Sequence, residues 1–111
     1  MGTATAILVT IAAEGALSTI ADIRAGAVAM LLGPPDWSPA NLSFQSSSDG
    51  VTFVDLYDAD GSEARVAMGA NRAVLMPVEL TQGVAYLRLR SGPARQPVAQ
   101  AADRQFTLMV V

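Results

Sequence analysis

Turn signals interrupt this chain so often that no segment is long enough, amphipathic enough and free enough of breakers to build a helical core. Gly15, Gly33-Pro34-Pro35, Ser48-Asp49-Gly50, Asp58-Ala59-Asp60-Gly61 and Pro77 cut it into pieces of strand length. Those pieces carry strand chemistry. Residues 3–11 (TATAILVTI) are rich in β-branched side chains, and residues 17–23 alternate Leu17, Thr19, Ala21 and Ile23 on one side. Residues 27–32 (AVAMLL) form a continuous apolar run between glycine and Pro-Pro, the pattern of a strand buried on both faces. Residues 42–46 and 51–57 alternate on either side of Asp49-Gly50, a hairpin signal because glycine supplies the positive φ the turn requires. Val51, Phe53, Asp55 and Tyr57 then share one face. Residues 63–68, 73–76, 84–90 and 106–111 complete the set, and residues 91–104, with Pro93 and Pro97, read as an extended surface loop. Within residues 84–90, Tyr86, Arg88 and Arg90 point one way and Ala85, Leu87 and Leu89 the other. About eight strands at roughly ten-residue spacing predict an all-β fold, an antiparallel β-sandwich or jelly roll. The length of 111 residues fits a single domain over residues 1–111.

What the chain lacks narrows its chemistry. Cys, His and Lys are absent, so all seven positive charges are Arg. That excludes thiolate and imidazole metal sites, disulfides, and Cys or His as nucleophile or base. Paired carboxylates of the glycosidase kind need a cleft, which a domain of this size rarely spares. The expectation is a protein that is not an enzyme and takes no cofactor. Net charge is −3, and the Arg residues are scattered among ten carboxylates, which argues against nucleic acid. The apolar stretch 3–13 lacks a basic flank and is too short to cross a bilayer, so neither a membrane partner nor a targeting segment is expected.

Hydrophobic residues make up 51% of the chain and charged ones only 15%, against about a quarter in an ordinary soluble domain. A surface so poor in charge fits one partly covered by a partner. The many alanines are the alternative explanation.

Three clusters stand out as candidate sites. Asp55, Asp58, Asp60 and Glu63 surround a glycine turn, as the carboxylates of calcium loops do. The EF-hand register fails, because aligning Gly61 with the loop glycine puts Leu56 first and Ala67 at the bidentate position. Asp and Gly are also ordinary turn residues. Trp37, the single tryptophan, follows Gly33-Pro34-Pro35-Asp36 and can stack on a sugar, close one end of a core or anchor an interface. Tyr86, Arg88 and Arg90 make a polar stripe that can pair with a partner's carboxylates or face solvent. Trp37, Tyr86, Arg88 and Arg90 are the interface candidates.

Leu42-Ser43-Phe44-Gln45-Ser46 followed by Ser48-Asp49-Gly50-Val51-Thr52-Phe53 resembles the hairpin of discoidin-like, galactose-binding-fold sandwiches. Ala85-Tyr86-Leu87-Arg88-Leu89-Arg90 resembles a strand near the end of those domains. The same two elements, with Asp55-Leu56-Tyr57-Asp58 between them, are similar to small proteins of tailed-phage and gene-transfer-agent particles. This chain is shorter than a discoidin domain, and no sugar-contacting residue is carried over. The resemblance implies a structural virion protein: a capsid decoration (cement) protein or small tail or head-tail subunit, in a multimeric assembly with other virion proteins. Such a particle is assembled in the host cytoplasm. The alternative is a carbohydrate-binding module for host surface glycans.

Overall fold

The computed structural model describes residues 4–24 and 26–111. Thr3, the expected start of the first strand, lies outside them. Among the described residues there are eight strands: β1 (Thr5–Ile11), β2 (Ala21–Asp22), β3 (Val28–Leu32), β4 (Leu42–Ser47), β5 (Val54–Asp55), β6 (Ala73–Leu75), β7 (Tyr86–Ser91) and β8 (Arg104–Val110). They form two antiparallel four-stranded sheets, β1-β8-β3-β6 and β2-β7-β4-β5, packed as a β-sandwich.

The pairing follows one rule. β1 pairs with β8, β2 with β7, β3 with β6 and β4 with β5. The chain is thus a long ribbon folded back at the β4–β5 hairpin, and its successive strand pairs lie in alternate sheets. Two further pairings, β3 with β8 and β4 with β7, join the windings into sheets.

Side-chain alternation fixes what each sheet buries. In the first sheet the register lines up Ile7, Leu108, Leu31 and Val74 across all four strands, with Val9 beside Phe106. These side chains face Leu42, Phe44, Leu87 and Leu89 of the second sheet in one core. A bulge at Ala29 changes the phase of β3: Val28 faces Val110, but Met30 already faces Met109. The extra residue lets both Val28 and Leu31 point inward while Met30 turns out.

Three expected strands fall short in the structure, and one of them forms no ladder at all. Of residues 17–23 only Ala21–Asp22 is ladder; Leu17 and Ser18 make isolated bridges to Arg90 and Ile11. This segment runs between the edges of the two sheets and bonds both, so its backbone bonds are divided between them. Residues 63–68 keep their alternation, with Ala64, Val66 and Met68 buried, yet touch their neighbours only through bridges at Glu63 and Val66. The Asp49-Gly50 hairpin forms, but as a wider loop. Ser46 pairs with Val54, Gly50 has φ +79°, and Asp49 Oδ1 accepts the N–H groups of Val51 and Thr52 at 2.8 and 2.9 Å. That Asx-type closure consumes the residues expected to extend the second strand.

Candidate interaction surface

The polar stripe of β7 lies on the outer face of the second sheet, as its spacing requires, but it is not a solvent face. The loop from Phe53 to Glu63 folds over it. Arg90 is only 5% exposed. Its Nε donates to Ser43 Oγ at 2.9 Å and its Nη1 to Asp55 Oδ1 at 2.7 Å, while Nη2 stands 3.6 Å from Glu63 Oε2. Glu63 is held in turn by Arg65 Nε and by the backbone N–H of Ala94. Arg88 donates to Gln45 Oε1 at 2.8 Å and lies 4.0 Å above the Phe53 ring. Tyr86 is half-buried, its ring 5.2 Å from the Arg24 guanidinium, which itself pairs with Asp22. The charges that could meet a partner are therefore largely paired within the chain. Arg90 is withdrawn from the surface altogether, because a buried guanidinium must be matched by carboxylates close at hand.

The four carboxylates of the calcium candidate do not converge. Asp55 and Glu63 serve Arg90. Asp60 Oδ1 accepts the Ser62 N–H at 2.9 Å, which holds its carboxyl below the usual carboxylate value and closes the turn at Gly61, φ +89°. Among the described residues no three Asp or Glu side chains gather to hold a metal ion.

Trp37 is a core residue, not a surface anchor. It is 7% exposed, meets Phe106 edge to face at 5.4 Å, and donates from Nε1 to the Ala40 carbonyl at 3.0 Å. The adjoining loop is fastened by Gln100, which bonds Ser38 and Ser91 and accepts from Arg104 Nε. Buried in the core with its N–H engaged, the indole has no face to offer a sugar.

The open surface lies on the other sheet. Across its outer face, register sets Ala6, Met109, Met30 and Leu75 in one row, and Leu8, Thr107, Leu32 and Ala73 in the next. No member of either row is charged, and Thr107 is the lone polar one. Leu75 is 77% exposed and Leu8 59%. Four strands about 4.8 Å apart, carrying two such rows about 7 Å apart, give a footprint on the order of 250–300 Å². The largest apolar patch on a monomer is often a functional one. A solvated face of an antiparallel sheet ordinarily carries polar side chains. The signal was present in residues 27–32, whose two-sided apolarity predicts cover on both faces. The chain supplies cover for one.

The chain matches no known family model, no curated protein and no solved structure. No helix among the described residues is long and apolar enough to cross a membrane.

Proposed function

We propose that this protein is a structural subunit that works by packing, and that the assembly it joins is a tailed-phage-like particle. In that role it is a capsid decoration protein or a small tail or head-tail subunit, bound to other virion proteins. The observation that carries the reading is the uncharged outer face of β1, β8, β3 and β6. Association there removes apolar surface from water without stripping solvent from a charge. The ribbon winding, strand n paired with strand 9−n, supports it by analogy. We read it as a jelly roll, an architecture used by viral capsid and lectin domains. The resemblance of the 42–53 hairpin and the 85–90 strand to small particle proteins points the same way.

The test is composition. Particles purified from cells that make this chain are expected to contain it in fixed ratio to a shell or tail protein, as measured by quantitative mass spectrometry. Its absence from every such particle contradicts the proposal.

One observation favours a second reading, glycan binding. Tyr57, 55% exposed, shares an open cleft of about 310 Å³ with Asp58, Pro77 and Glu79. An exposed ring beside carboxylates suits a sugar face and its hydroxyls. Titration with host surface polysaccharides distinguishes the two: heat of binding that Tyr57→Ala removes supports the glycan reading, and no heat removes it.

A further inference from the structure

The sandwich has four outer strands, and they are not protected alike. β2 and β5 have two residues each and β6 has three, too short to template another strand. β1 has seven, with no charge, no proline and no bulge. Its C-terminal end is closed: the Thr19 N–H donates to the Thr10 carbonyl at 3.0 Å, and the Thr10 N–H to Thr19 Oγ1 at 3.1 Å. Those bonds fix which way the strand faces. The polar backbone of Thr10 points away from β8, and by the two-residue period of an antiparallel ladder so does that of Leu8 and Ala6. Among the described residues nothing bonds Leu8 or Ala6 on that side.

We propose that two copies of this chain pair antiparallel through β1, merging two four-stranded sheets into one of eight. A second copy fits this edge for three reasons. A strand lying antiparallel to itself creates a two-fold axis, so the contact closes on two chains. With no charge on β1, neither copy presents like charge to the other. The span also matches: the Thr19 block leaves residues 5–9 free, and placing Ala6 opposite Leu8 of the other copy stays within them. Each such pair exchanges two backbone hydrogen bonds, giving four in all, with Ile7 facing its own counterpart on the axis. The inward Ile7 side chains then join the cores, and Ala6 and Leu8 continue the bare outer face across the seam. Two footprints side by side reach about 500–600 Å², a large part of the roughly 800 Å² that a standard interface takes from one partner. Only this last consequence rests on the proposed function; the pairing itself rests on the edge.

The experiment uses the whole chain. Light scattering is expected to give twice the 11.5 kDa chain mass, and Ala6→Pro, which removes only an outward N–H, is expected to give the monomer with its melting transition intact. The chain has no cysteine, so Ile7→Cys reports register. Its two sulfurs sit on a non-hydrogen-bonded pair with Cα atoms about 4.5 Å apart, within disulfide reach, and crosslink on mild oxidation. Leu32→Cys, in mid-sheet, stays uncrosslinked. Should Ala6→Pro fail to fold, the two cysteine variants decide. A monomer at every concentration, masses beyond the dimer, or a dimer broken by Thr107→Lys but not by Ala6→Pro overturns the pairing. A monomer that still enters particles removes the pairing and leaves the proposed function standing. A crosslinking dimer that never enters particles does the reverse.

Discussion

Met30 and Met109 lie directly opposite one another on the two central strands of the first sheet, and both point away from the core. Their neighbours in sequence, Leu31 and Leu108, are opposite one another too, and both are fully buried. One pair of strands therefore presents apolar side chains in both directions, but only the inner set contributes to folding. Leu75→Lys and Thr107→Lys are expected to change unfolding free energy by less than about 0.5 kcal/mol. Leu108→Ala is expected to cost about 2–5 kcal/mol. Urea denaturation measures both; equal costs on the two faces contradict the assignment.

The Arg90 guanidinium turns a different nitrogen to each of Ser43, Asp55 and Glu63, a planar spread that the compact ammonium of lysine does not reproduce. Arg90→Lys should destabilise the fold by about 1–3 kcal/mol in thermal or urea unfolding. A neutral result means that loop 53–63 is not held by this contact.

Acid should loosen the same loop. The Arg90 guanidinium, by hydrogen bond and then by charge, holds the Asp55 carboxyl below its usual value of 3.8. The backbone N–H groups of Thr52 and Val51 do the same for Asp49. A carboxyl lowered in the folded state stabilises it fully above the ordinary value, and that stability is lost as pH falls through the lower folded value. Urea midpoints are expected to drop below about pH 4, and less steeply in Asp55→Asn. Parallel curves for the two proteins contradict the linkage.

Trp37 gives an optical check. An indole packed on Phe106 and bonded to Ala40 should emit as a buried tryptophan, resist quenching by acrylamide, and shift to the red only on unfolding. Trp37→Ala should cost about 3–5 kcal/mol. Exposed-type emission from the native protein contradicts the core placement.

Local pattern made much of the fold legible. Alternation in residues 84–90 assigned Leu87 and Leu89 to the core, and turn residues at Gly15, Gly33, Asp49 and Gly61 separated the strands. Pattern does not reveal which strands become neighbours. Arg90 and Asp55 are far apart in sequence, so nothing local showed that the loop would bury the arginine. Trp37 was ambiguous for the same reason: its partner, Phe106, lies at the other end of the chain. The bare face was half visible. Residues 27–32 demanded cover on two sides, but only the register across β1, β8, β3 and β6 shows the demand shared by a whole sheet.

The central claim is that this face is where the protein meets its neighbours. The direct measurement is rebinding: purified wild-type chain and Thr107→Lys, each added to particles that lack the chain, with bound protein quantified after sedimentation. Wild type and Tyr57→Ala should bind to saturation, and Thr107→Lys, equally well folded, should not bind. If Thr107→Lys binds as wild type does, the face is not the interface and the account fails.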